Sequence, residues 1–261
     1  MSIIQSSGAG KTRLAWETIK LFPGIFLEFS KGENGYPSKN KDLVSLTGHL
    51  DSYLMNDDCE TAVVFMLHFF HEVYKTYLQY VKFLLDNNLN KVTLNAKANK
   101  DKLKCLNNLQ QPLDFDFEVK IKQVEGRTNR NLKSKVILLK LANLQIENKL
   151  FDFGNIKTTV TKYIEEVIKS EFHIICNNIV DDIKDTINDI FGILKPKNEI
   201  FVMVFDEAAD LTQPVHNHIS VFNVMRRALS NLFNTNIVTI MTATNSEISN
   251  LLQTVREDST R

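Results

Sequence analysis

Residues 200–205 read Ile-Phe-Val-Met-Val-Phe, six apolar side chains without a break, and close on two adjacent acids, Asp206 and Glu207. A strand with one wet face alternates apolar and polar residues, because successive side chains point to opposite sides of a sheet. Six apolar residues in a row therefore need cover on both faces, which is the pattern of a parallel sheet packed between helices. Residues 25–29 and 237–241 are shorter, largely apolar runs of strand length, and helical stretches separate them from the first. The expected fold is α/β, with three layers around a parallel sheet.

The rest of the chain sets the proportions of that fold. Residues 12–21 lack Gly and Pro and read as a helix that Pro23-Gly24 stops, and 31–40 hold two Gly, one Pro and two Asn, a loop composition. Over 43–87 the residues Val63, Phe65, Phe69, Val73, Tyr77, Tyr80 and Leu84 recur at roughly helical spacing. Residues 88–112 are rich in Asn and Lys and are expected to be an exposed, irregular connection. Over 115–124 Phe115, Phe117, Val119 and Ile121 alternate with charged residues, as in an amphipathic strand. Helical patterns return over 133–148, 156–191, 219–233 and 247–255. The strands thus gather at the two ends. This gives a core formed by 1–40 and 196–261, interrupted by a largely helical insertion over 41–195 with a short β element near 115–124.

The 261 residues suffice for a sizeable core, and 31 basic side chains balance 31 acidic ones. Net charge therefore gives no reason to expect nucleic acid or membrane as a partner. The balance is uneven, since residues 91–149 carry 13 basic and 6 acidic side chains. That reads as a solvated Lys/Asn-rich face, with a local anionic partner as the alternative. Cys59, Cys105 and Cys176 are distant, odd in number and form no CxxC, so a reducing compartment is expected, without a disulfide framework or a zinc site built on cysteine. The opening residues do not have the form of a secretory leader. The most apolar run, 63–67, ends at His68, far short of the roughly 20 residues of a membrane span.

Residues 3–14, IIQSSGAGKTRL, nearly spell a phosphate-binding loop. Such a loop needs Gly-x-x-x-x-Gly-Lys-Thr/Ser between a strand and a helix: glycines let backbone amides curl around phosphates, the lysine reaches the β and γ oxygens, and the hydroxyl holds Mg²⁺. Gly10, Lys11 and Thr12 fill the last three positions, Gly8 and Ala9 keep the loop small, and Arg13 follows. Gln5 replaces the first glycine, at a position whose backbone conformation costs a side chain about 1–2 kcal/mol.

The acidic pair supplies the complementary chemistry. In this kind of site a strand ends in an Asp that orients the magnesium through water, here Asp206, followed by a Glu that polarises the attacking water, here Glu207. Adjacent acids at the end of a buried strand repel each other unless a cation neutralises them. A third strand, within NIVTIMTATNSEISNLL at 236–252, ends in polar residues. It is expected to lie between the loop strand and the acidic strand, with Thr244 or Asn245 sensing the γ-phosphate or capping the next helix.

SSGAGKTRL, VFDEAADL, FNVMRRALS and TATNSEISNLL together resemble the P-loop ATPase of Crinkler-type effector proteins and related proteins of fungi and oomycetes. The resemblance covers about residues 3–29 and 199–252. It implies a three-layer P-loop NTPase of the additional-strand class, related in layout to AAA+ and STAND ATPases. It also implies ATP as nucleotide and an intracellular, cytoplasmic or nuclear location, which for an effector includes a host nucleus. In such effectors the ATPase is often coupled to a nuclease-like module. Ala209 stands where the family often shows arginine. Only residues 1–4 are available for the loop strand, and no candidate for a fifth core strand follows Val255, so the sheet is expected to be incomplete at both ends.

The expected function is that of a Mg²⁺-dependent ATP-binding P-loop NTPase, hydrolysing ATP as a switch or effector module. Lys11 stabilises transferred charge, Thr12 and Asp206 hold the metal, Glu207 activates water, and Gly8, Ala9, Gly10 and Arg13 complete the cradle. The rival from another class is a nucleotide-binding interaction module without turnover, or a truncated copy, which Gln5 and the short first strand favour. A further alternative is nuclease-like chemistry in the basic insertion, carried by Asp114, Glu118 and Lys120. Arg226 or Arg227 could serve as an arginine finger or simply solvate a helix, and His216 and His218 share a metal-pair spacing without an evident third ligand. Besides nucleotide, the helical insertion offers a surface for a protein partner or for self-association.

Overall fold

The computed structural model describes residues 2–4, 10–29, 40–89, 130–167, 171–233 and 235–243. In chain order these form β1 (Ser2–Ile4), α1 (Lys11–Leu21), β2 (Gly24–Glu28), α2 (Lys41–Met55), α3 (Cys59–Leu89), α4 (Arg130–Ile146), α5 (Phe153–Val167) and α6 (Phe172–Leu194). Then follow β3 (Phe201–Asp206), a 3₁₀ turn over Ala208–Thr212, β4 (Pro214–His216), β5 (Ile219–Ser220), α7 (Val221–Asn231) and β6 (Ile237–Ala243). The β element expected near 115–124, most of the connection before it and the helix expected over 247–255 lie outside the described residues.

Four strands make one sheet in the order β1-β6-β3-β2, and every neighbouring pair is parallel. β6, which follows α7, lies between β1 and β3, the position expected from the sequence. All four carboxyl ends therefore emerge along one edge of the sheet. A strictly parallel sheet has no hairpins of its own, so helices must carry the chain back and cover both faces.

The alternation of β2 and β3 divides the core into two layers. Ala15 and Ile19 of α1 pack with Phe26, Val202 and Val204 and with Ala142 of α4. On the opposite face, Ile25, Leu27, Phe201, Met203 and Phe205 join a larger apolar cluster built mainly from α2, α3, α5, α6 and α7. Rings make the junction: Tyr74 and Tyr77 of α3 stand edge-on to Phe201 at 5.1 and 5.4 Å, and Phe70 meets Phe205 at 6.1 Å. Residues 41–195 are largely helical and do not form a body apart from the sheet; they supply most of one layer. Because α3 is covered on all sides near its start, its residues 61–70 are buried without a polar stripe.

Local signals explain the boundaries. The pattern over 43–87 is split into α2 and α3 at Asn56-Asp57, where Asp57 adopts a left-handed φ of 58°, and the Asp58 carboxylate then accepts the Thr61 amide at 3.0 Å to cap α3. The helix expected over 219–233 begins later. Ile219–Ser220 pairs antiparallel with Pro214–His216 in a small hairpin whose central residues, Asn217 and His218, both have positive φ. That is the handedness two-residue hairpin turns require. Ser220 then caps α7 in a reciprocal capping box with Asn223.

The outer edge of β2 would be a row of unpaired backbone groups. The buried side chain of Gln145 on α4 closes it: the Phe26 amide donates to Gln145 Oε1 at 2.7 Å and Gln145 Nε2 donates to the Gly24 carbonyl at 3.0 Å. The Gly24 amide donates to the Tyr77 hydroxyl. Gly24 is also a close-approach position, because a Cβ there would sit 2.6 Å from the Val202 carbonyl oxygen. Gln145→Ala strands two buried backbone groups and is expected to lower stability by roughly 2–4 kcal/mol. Gly24→Ala forces β2 and β3 apart and is expected to cost roughly 1–3 kcal/mol. Urea titration followed by circular dichroism measures both.

Candidate functional site

The candidate site is built where α1 begins and β3 ends. Gly10 holds φ 75° and ψ 19° at the N-cap of α1, a left-handed conformation that glycine adopts without steric cost. The first turn of α1 contains no acidic residue. The exposed amides and partial positive charge of a helix start therefore lack an acid from the helix itself.

That acid comes from the far end of the sequence. Thr12 Oγ1 donates to Asp206 Oδ2 at 2.7 Å, a bond between residues 194 positions apart. The Asp206 side chain is only 2 % exposed, and its other oxygen, Oδ1, accepts from Thr242 Oγ1 of β6, itself fully buried. The backbone carbonyl of Asp206 accepts the Phe29 amide at 3.0 Å, continuing the β2–β3 ladder past the strand end. One carboxylate thus ties α1, β3 and β6 together at the carboxyl edge of the sheet. A buried carboxylate is costly unless hydrogen bonded, and two hydroxyl donors meet that need.

Glu207 follows with φ 53° and ψ 39°, left-handed without being glycine, and the chain turns there into the 3₁₀ segment. Such a conformation costs a side chain about 1–2 kcal/mol and persists where surrounding structure holds it. Beside this pair lies a third acid, the half-buried Glu28 at the tip of β2, whose Cα is the register partner of Asp206. Glu28 lies within an otherwise apolar run, and its being the one charge in 25–29 is the sequence signal for it. Thr242 belongs by sequence to a polar strand tip, and in the structure it is the residue of β6 that reaches Asp206.

The other residues singled out in the sequence fall as follows. Lys11 is the first residue of α1 and Arg13 is exposed on its first turn. Gly8, Ala9, Thr244 and Asn245 lie outside the described residues, as do Asp114, Glu118 and Lys120. Arg227 directs Nη1 at Cys59 Sγ, 3.1 Å away at the start of α3. His216 lies in the β4–β5 hairpin with Nε2 3.4 Å from the Asp57 carboxylate, which also accepts from Asn217 Nδ2 at 2.8 Å. Among the described residues neither His216 nor His218 belongs to a group able to hold a metal ion. No described helix is long and apolar enough to cross a membrane.

Compared with protein-family models, with curated proteins and with solved structures, the chain gives no match to any of them.

Thr242→Val keeps the shape of the side chain and removes the donor to a buried carboxylate oxygen. Stability is expected to fall by about 1–3 kcal/mol. Glu207→Asn, which tolerates the left-handed region better, is expected to be neutral or to add up to about 1 kcal/mol. Thermal and urea unfolding of the two variants against the parent chain measure these opposite signs.

Proposed function

We propose that the chain is a Mg²⁺-dependent, ATP-binding P-loop NTPase that hydrolyses ATP and uses the cycle as a switch or effector module. The observation that carries this reading is the 2.7 Å bond from Thr12 to Asp206. It joins the residue after the GAGK segment to the first acid after the apolar strand, at the carboxyl edge of a parallel sheet, where open α/β sheets bind ligands. Helix start, hydroxyl and carboxylate are the three elements that a nucleoside triphosphate with a divalent cation calls for.

Each role follows from local chemistry. The amides at the start of α1 and the Gly-rich segment before it face the phosphates, and Lys11 offsets charge on the β and γ oxygens. A magnesium ion, when bound, would supply further neutralisation of phosphate charge. Thr12, whose hydroxyl donates to Asp206, and Asp206 itself would hold the metal. Glu207, next along the chain and outside the strand ladder, takes the proton from the attacking water. Thr244 or Asn245 reads the γ-phosphate.

One observation favours a second reading, a nucleotide-binding module without turnover. Gln5 stands where the motif has its first loop glycine, a position whose backbone conformation a side chain strains.

Phosphate release from ATP with and without Mg²⁺, together with calorimetric nucleotide binding, separates the two. Glu207→Gln is expected to lower turnover by about 10²–10⁴-fold with binding retained, and Lys11→Ala to weaken binding itself. Tight binding by the parent chain without phosphate release supports the second reading. A folded chain that binds neither ATP nor GTP overturns both.

A further inference from the structure

Away from the sheet edge, α3 carries a cluster that the nucleotide reading does not use. His68, His71 and Glu72 are spaced i, i+3, i+4 and so share one face of the helix. One ligand atom from each lies within 4.8 Å of the others. A tetrahedral zinc shell with bonds near 2.05 Å spaces its ligands by about 3.3 Å, so modest side-chain rotation closes the set.

The two rings are unusual for their surroundings. His68 is 7 % exposed and His71 9 %, and the Nδ1 atom of each is buried without a hydrogen-bond partner among the described residues. Buried polar atoms are ordinarily satisfied, and each one left unmade costs about 1–3 kcal/mol. Burial lowers both imidazoles from their ordinary range, His68 to about 4. Packing accounts for part of the arrangement, since His68 stacks on Tyr163 of α5 with centroids 3.8 Å apart. Stacking leaves Nδ1 of His68 in the ring plane without a partner among the described residues, while its Nε2 stands 3.7 Å from Glu72 Oε1.

The cluster also has access and positive charge at hand. A solvent-open cleft of about 360 Å³ between α3 and α6 is lined by His71, Lys75 and Asp182, among others. The Lys75 ammonium bonds Glu72 Oε1 at 2.7 Å, on a side chain 43 % exposed and free to swing into solvent. A cation arriving through the cleft would take over the charge that Lys75 now balances, with water or Asp182 completing the shell.

We propose that His68, His71 and Glu72 form a binding site for a transition-metal dication of the zinc class, reached through the α3–α6 cleft and independent of the nucleotide site. Two imidazoles and one carboxylate suit zinc, cobalt or nickel, whereas magnesium and calcium prefer all-oxygen shells.

The full chain, stripped with EDTA and dialysed, is titrated with Zn²⁺ alone by calorimetry and with Co²⁺ alone by visible absorption. One ion per chain, cobalt d–d bands and a higher melting temperature with zinc are expected. His71→Gln is expected to weaken zinc at least about tenfold, and Glu72→Gln, nearer the surface, gives the same test if the histidine variant fails to fold. Glu207→Asn, expected to fold as stably as the parent chain, should leave zinc binding unchanged, which separates this site from the sheet edge. A folded parent chain that takes up no zinc or cobalt at micromolar concentration, or variants that bind as tightly as the parent, overturns the proposal.

Discussion

The Asp206 carboxylate is the fixed point of this structure. Buried to 2 % exposure at the end of β3, it accepts one hydroxyl from the start of α1 and another from β6. Without donors on both oxygens, an ionised carboxylate in that place would be desolvated at a cost the fold could not absorb. With them it determines how the first helix sits on the sheet and where β6 ends relative to β3. The same arrangement that satisfies the charge also gathers a helix start, two hydroxyls and three acids along one edge. The stability requirement and the candidate chemistry therefore have one geometric solution.

That edge depends on elements that contribute nothing to it directly. Phe70, Tyr74 and Tyr77 of α3 press on Phe201 and Phe205, fixing β3 from below, while Gln145 of α4 occupies the hydrogen-bonding edge of β2. Residues 41–195 look like an interruption in the sequence. In three dimensions they form most of one layer and seal a strand edge that would otherwise be open to pairing with another chain. The polar cluster of His68, His71 and Glu72 sits on the side of α3 turned towards α5 and α6, so one long helix serves the sheet with its rings and a separate cleft with its polar residues.

Several features were legible because they rest on short-range rules. The unbroken apolar run 200–205 marks a strand buried on both faces, and Pro23-Gly24 marks the end of α1. The left-handed Gly10 follows from the glycine in the loop motif. Less was legible where the same residue types serve two purposes. Ile219 and Ser220 look like the first turn of a helix and instead close a hairpin, because Asn217 and His218 accept positive φ and allow the chain to reverse. Glu28 and Thr242 looked like ordinary strand ends, since nothing in their own neighbourhoods shows which residue stands beside them.

By itself, the sequence determined the parallel character of the sheet, the helical bulk between its strands and the chemical vocabulary at its edge: GAGKT, Asp206, Glu207 and a polar tip on the last strand. Those properties depend on periodicity and on residue type, which are local. Only the tertiary structure decided that Thr12 and Thr242, 230 positions apart by their numbers, would donate to the two oxygens of one carboxylate, that Gln145 would bond two backbone groups of β2, and that Nδ1 of two buried histidines would lack a partner among the described residues. The physical reason is that each buried polar group must find its partner among whatever the packed layers bring within about 3 Å. Spacing along the chain does not record that proximity.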